Sequence, residues 1–164
     1  MVAEPKHYPM NERYIADGIK NDYITWETSK PLHSSTKVFI DSPTGTGKTS
    51  FIIKELLPFA TKFNRNILYI GNRTAIQEQT KNVLQYNEPQ LICVSDTNGS
   101  STFVYPGTHT HITLLNYQSA LSFNEFLGYY YVIFDEVHFF LEDALFNSKT
   151  YEIFDKLLAN IWIV

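Results

Sequence analysis

Short apolar runs recur along the chain, and the stretches between them carry apolar positions at helical spacing. Val38-Phe39-Ile40, Ile67-Leu68-Tyr69-Ile70, Leu91-Ile92-Cys93-Val94, Ile112-Thr113-Leu114-Leu115 and Tyr131-Val132-Ile133-Phe134 read as strands, and Ile161-Trp162-Ile163-Val164 begins another. Helices are predicted from Lys48 through Leu57 with a kink or restart at Pro58, from about Thr74 to Tyr86, and from Gln118 to Leu127. A last one runs from a Thr150 cap through Ala159. Asn98-Gly99-Ser100-Ser101 reads as a loop and Tyr105-Pro106-Gly107 as a turn. Strand and helix alternate, which predicts an α/β fold with a mostly parallel central sheet covered by helices. Tyr131 to Phe134 is apolar at every position, as a central parallel strand must be.

The segment before Lys37 has a different character. Tyr14, Ile15 and Ile19 give a modest stripe to a short helix over Asn11 to Lys20, and Pro31 with His33-Ser34-Ser35-Thr36 marks a linker. The predicted organisation is a leader over residues 1–36 and one domain over 37–164.

Composition narrows the class. A chain of 164 residues, 44% hydrophobic and 18% charged, is about one globular domain. No apolar run approaches the ~18 residues of a membrane span, and Met1 to Arg13 lacks the apolar core of a secretory signal. No membrane partner is expected. Cys93 is the only cysteine, so an intrachain disulfide is excluded and a reducing, cytoplasmic setting is the simplest expectation. In an apolar run it reads as a small buried hydrophobe. His109 and His111 lack a third ligand and read as part of a solvated loop. The net charge of −4 speaks against a broad basic surface for nucleic acid.

The chemistry lies at two strand ends. Ser42-Pro43-Thr44-Gly45-Thr46-Gly47-Lys48-Thr49 sits between a predicted strand and a predicted helix. Glycines let a backbone curl and aim its N–H groups at phosphate oxygens, and the helix behind adds the positive end of its dipole. In such a P-loop, Ser42, Thr44, Gly45, Thr46, Gly47, Lys48 and Thr49 would cradle ATP. Lys48 would reach the β- and γ-phosphates and the Thr49 hydroxyl would hold Mg²⁺. The second segment is Val132-Ile133-Phe134-Asp135-Glu136-Val137-His138, where carboxylates stand at the C-terminal end of an apolar strand. Asp135 is suited to hold Mg²⁺ through water, and Glu136 to deprotonate the attacking water.

Ser-Pro-Thr-Gly-Thr-Gly-Lys-Thr together with Asp-Glu-Val-His resembles motifs I and II of the superfamily 2 DEAD/DEAH-box helicases. The resemblance covers roughly Val38 to Val164 and implies the first RecA-like ATP-binding domain of a helicase or translocase, a three-layer domain. Gly71-Asn72-Arg73-Thr74-Ala75-Ile76-Gln77-Glu78-Gln79 is similar to motif Ia, which would set Arg73 on a nucleic-acid phosphate; otherwise Arg73 is a solvated residue at a helix start. Leu114-Leu115-Asn116-Tyr117-Gln118-Ser119 is similar to a later strand-touching motif, which would bring Asn116 to DNA or RNA, although Thr is commoner in the family at that place. His138 stands where the family couples the ATP site to its partner domain. No Gln precedes Gln77, so the adenine-reading motif of DEAD-box proteins has no counterpart, and the Ser-Ala-Thr motif expected after Ile161 to Val164 is not in the chain.

The resemblance also implies a second RecA-like domain, in cis or trans, that supplies an arginine finger. Arg13, Arg65 and Arg73 lie in no segment resembling that finger. Two other readings remain: a P-loop NTPase switch without a nucleic-acid role, and a nucleotide-binding module without helicase activity.

Overall fold

The computed structural model describes residues 6–9, 38–41, 45–71, 74–120, 122–135, 148–152 and 155. The chain divides into two compact units, Met1–Phe59 and Ala60–Ile163.

In the first unit, β1 (Lys6–Pro9) pairs in parallel with β2 (Val38–Asp41), Lys6 opposite Val38 and Pro9 opposite Asp41. A strand therefore lies inside the segment expected as a leader. A helical run follows as α1 (Lys48–Phe51), a π-helical turn (Ile52–Leu56) and α2 (Leu57–Lys62). The widened turn falls just before Pro58. Proline has no N–H for the Lys54 carbonyl and its ring crowds that group. The Leu57 N–H accordingly bonds the Ile52 carbonyl, five residues back. Phe51, Ile53, Leu56 and Leu57 are buried along this run.

The run ends as sequence chemistry demands. Asn64 takes a left-handed conformation (φ 53°), and the N–H groups of Asn64 and Arg65 return to the Thr61 and Ala60 carbonyls at 3.2 and 2.9 Å. Asn is the residue, after Gly, that tolerates this helix-ending geometry.

The second unit is built on a five-stranded sheet in the order β4-β5-β6-β3-β7. Within it β3 (Ile67–Gly71) is buried at every position. β6 (His111–Asn116) and β7 (Tyr131–Phe134) flank it in parallel, with Gly71 opposite Asn116 and Ile70 opposite Phe134. The run Tyr131 to Phe134, read as a central strand, instead ends this sheet among the described residues, paired only with β3 and buried only at Tyr131. Leu68, Ile70, Leu115, Tyr117, Ala120 and Phe126 form a buried cluster, with Phe123, Tyr129, Val132 and Phe134 packed on it. Tyr129, whose phenol bonds the Thr113 hydroxyl at 2.8 Å, belongs to that packing.

The sheet is mixed because a hairpin is added to its parallel part. β4 (Ile92–Thr97) and β5 (Ser100–Val104) pair antiparallel, and β5 pairs antiparallel with β6. Thr97 opposes Ser100, so the turn is Asn98-Gly99 alone, with Gly99 at φ +103°. Asn-Gly between strands is the strongest short hairpin signal, and the loop expected over Asn98 to Ser101 is this turn plus the start of β5. Cys93 corrects another expectation. It is exposed, because β4 is the sheet edge and is open along its whole length. An apolar run shows that a strand forms, not that both of its faces are covered.

α3 (Thr74–Asn87) connects β3 to the hairpin and buries Thr80 and Leu84, one turn apart. Its Lys81 is paired with Asp96 of β4, whose other oxygen accepts from the Ser101 hydroxyl at 2.7 Å. The helix expected from Gln118 to Leu127 is only one turn, α4 (Tyr117–Ala120), followed by a 3₁₀ turn at Phe126–Gly128. The Ser122 hydroxyl bonds the Ser119 carbonyl at 3.0 Å, the local competition by which serines end helices. Thr150 lies within the helical residues 148–152 and not before them. The expected helix over Asn11 to Lys20 and the expected strand over Ile161 to Val164 lie outside the described residues.

Among the described residues no helix is long and apolar enough to cross a membrane.

Candidate functional site

The first unit carries the glycine-rich loop. Ser42, Pro43 and Thr44 lie outside the described residues; Gly45, Thr46, Gly47, Lys48 and Thr49 are within them. Gly45 and Gly47 stand on either side of Thr46 at φ +82° and +85°. A Cβ on Gly45 would meet nothing within 4 Å, so the demand for glycine there is one of backbone conformation, not of space. Gly47 is the N-cap of α1, and the Phe51 N–H bonds its carbonyl at 2.8 Å. No side chain caps this helix start and its first turn holds no acidic residue. A left-handed glycine leading straight into an uncapped helix start is the arrangement that receives anions. Lys48 and Thr49 occupy the first turn, half-buried, at the helix end where the dipole is positive. These donors fit a polyphosphate.

The second unit carries the acidic strand end. Asp135 follows β7, and its N–H bonds the Ile70 carbonyl of β3 at 2.9 Å. Its own carbonyl accepts from the Tyr117 hydroxyl at 2.6 Å, and its Oδ2 accepts from the Tyr69 hydroxyl at 2.5 Å. Tyr117 begins just past β6, so its side chain reaches across β3 to the end of β7. Among the described residues Oδ1 of Asp135 accepts no hydrogen bond. A hard, half-buried carboxylate oxygen suits a water-bearing Mg²⁺. Glu136 and His138 lie outside the described residues, as does Arg73 just past β3.

Asn116 ends β6 beside Gly71 of β3. It is 7% exposed, and its Oδ1 accepts the Ser119 N–H at 2.8 Å, which makes it the N-cap of α4. The C-terminal ends of β6, β3 and β7 thus bring together Asn116, Gly71 and Asp135. Ligands in open α/β sheets bind outside this edge. The opposite edge is aromatic and carries one cation, Arg65, among the described contacts. Arg65 lies 3.9 Å over the Tyr130 ring and donates to the Tyr131 hydroxyl at 2.8 Å, at the other end of β7 from Asp135. His111 packs edge-on against Tyr129, and no group of three or more His, Cys, Asp or Glu residues that could hold a metal occurs among the described residues.

Sequence reasoning missed Tyr69 and Tyr117. Nothing marked Tyr117, and for Tyr69 the one available signal was indirect: a tyrosine in a buried strand must find an acceptor for its hydroxyl.

The family model for the type III restriction enzyme, res subunit, matches residues 10–163. No curated protein and no solved structure gives a match.

Proposed function

The chain belongs to the family of the type III restriction enzyme res subunit, a superfamily 2 helicase-like N-terminal ATP-binding domain of the RecA-like P-loop class, and on that premise we propose that it binds ATP with Mg²⁺ and couples its hydrolysis to remodelling of DNA or RNA. The observation that carries the reading is the loop itself, with left-handed Gly45 and Gly47 opening directly on the helix that starts at Lys48. Within the family, the Asp-Glu-Val-His segment supports the DEAD/DEAH-box type.

Each residue has a separate task. The backbone from Ser42 to Thr49 would hold the phosphates, with the Lys48 ammonium against their outer oxygens. Thr49 would be suited to hold the metal, and so would Asp135; when bound, the metal neutralises charge on the β- and γ-phosphates. Glu136 would take the proton of the attacking water. Arg73 would hold a nucleic-acid phosphate. Asn116, its Oδ1 committed to Ser119, would act through the shape it gives the segment after β6. His138 would couple the site to a second RecA-like domain, in cis or trans. That domain would supply the arginine finger, a task for which Arg65 is badly placed, being held by Tyr130 and Tyr131.

One observation favours a nucleotide switch with no nucleic-acid role, namely the net charge of −4. Filter binding of labelled single-stranded DNA and RNA over a salt series, with and without ATP and Mg²⁺, separates the two. The motor reading predicts binding that falls linearly in log salt, because phosphate contacts release counterions. No binding at the lowest salt would leave the switch.

A further inference from the structure

The geometry points to Tyr69 as the positioning residue that aims the Asp135 carboxylate at the metal. The inference rests on the reading above, in which Asp135 holds Mg²⁺ through water.

Three hydrogen bonds converge on Asp135, and they do different things. The N–H to Ile70 and the carbonyl from Tyr117 fix its backbone at the end of β7. Neither constrains the carboxylate, which turns about a soft, roughly twofold torsion. The Tyr69 hydroxyl does, by donating to Oδ2 at 2.5 Å. A hydroxyl on an ionised carboxylate is a short, charge-assisted bond. With Oδ2 taken, Oδ1 is the oxygen that would accept from a metal-bound water.

Tyr69 is suited to this because burial holds its ring in place. It sits on β3, where every residue is buried, and is itself 3% exposed. Parallel pairing sets Tyr69 opposite Ile133 of β7, so Asp135 lies two residues further along on the same face. The ring leans that way: a Cβ built on Gly71 would be 3.8 Å from Tyr69 Cε1. The donor therefore comes from the one described strand of the sheet that is buried at every position and reaches forward to its C-terminal edge. Tyr117 is the internal comparison, equally buried at 3% exposed but bonded to the backbone carbonyl of the same residue.

Titration calorimetry of ADP into the full chain, over a series of free Mg²⁺ concentrations and in EDTA, tests the assignment. Tyr69→Phe keeps the ring and removes the donor. It is expected to raise the Mg²⁺ concentration at half effect about tenfold, as loss of a partner behind a metal ligand does, and to leave ADP binding in EDTA unchanged. Tyr117→Phe is expected to shift the Mg²⁺ midpoint less than about twofold. Asp135→Asn should shift it further, and the Tyr69→Phe/Asp135→Asn double variant should match Asp135→Asn alone, since the hydroxyl acts only through that carboxylate. Thermal melts confirm that each variant is folded. A normal midpoint for Tyr69→Phe beside a shifted Asp135→Asn, or additive shifts in the double variant, would overturn the positioning role while leaving Asp135 as a metal-holding residue. A normal midpoint for Asp135→Asn would remove the metal reading itself, and the inference with it.

Discussion

Asn116 donates its backbone N–H to the Gly99 carbonyl at 2.9 Å, which fastens the β4–β5 turn to the end of β6. The fit is tight. A Cβ on Gly99 would lie 2.2 Å from Ser119 Oγ and 2.7 Å from Asn116 Nδ2, at a backbone φ of +103° that side chains avoid. Gly99→Ala is therefore expected to destabilise the protein by about 1–3 kcal/mol, through strain at a left-handed position and displacement of the α4 cap. Urea unfolding of the two proteins measures it. A variant as stable as the native chain would show that the turn relaxes at no cost.

Glu136 and Asp135 are expected to separate chemistry from metal binding. In a protein that carries both RecA-like domains, Glu136→Gln should bind Mg²⁺ and ATP normally while turnover falls about 10²–10⁴-fold, the usual worth of a general base. Asp135→Asn should instead move the Mg²⁺ dependence of binding. Steady-state hydrolysis beside nucleotide titration reads both. Equal turnover with Glu136→Gln would place the base elsewhere.

Arg73 is expected to act on nucleic acid through charge alone. Arg73→Ala should weaken single-stranded binding about uniformly across sequences and lower the slope of log affinity against log salt by about 0.7, one phosphate contact. An unchanged slope would return Arg73 to the role of a solvated residue at a helix start.

Much of the parallel part of the sheet was legible because β3 and β7 are apolar runs and β6 is broken between Ile112 and Leu115 only by Thr113, and the strand-end place of Asp135 because acids at the end of such a strand stand out. β5 was not. Ser100-Ser101-Thr102 has the composition of a loop, yet Ser101 is buried, its hydroxyl satisfied by Asp96, and the Thr102 hydroxyl lies 3.0 Å from that of Thr113 across the strands. Side-chain hydroxyls that pair with each other remove the cost of burying them, and no periodicity announces such pairing. The exposure of Cys93 was hidden for a different reason, since which strand ends at a sheet edge is decided by topology. Tyr69 was hidden because a tyrosine among Ile and Leu looks like packing until its hydroxyl is followed to Asp135.

The fold should weaken in alkali through Tyr105. Burial, and then the bond it donates to Glu88 at 2.6 Å, push its phenol well above the ordinary 10.0. The folded state then holds a proton that the unfolded state releases, so stability is whole below pH 10 and falls as the pH rises above it. Tyr129, raised chiefly by its burial, adds to the same slope. Melting temperatures measured from pH 9 to about pH 11.5 should decline above 10, and less steeply in Tyr105→Phe. Parallel curves for the two proteins would mean that Tyr105 contributes nothing to the decline.

If the loop from Ser42 to Thr49 holds a nucleotide's phosphates, calorimetric titration of ATP with Mg²⁺ into the native chain and into Lys48→Ala will show it. The ammonium of Lys48 on a phosphate is a charge-assisted contact worth about 1.5–3 kcal/mol, so the variant should bind roughly 10- to 150-fold more weakly while melting at the native temperature. Native affinity in Lys48→Ala, or no heat of binding in the unaltered protein, would contradict the account.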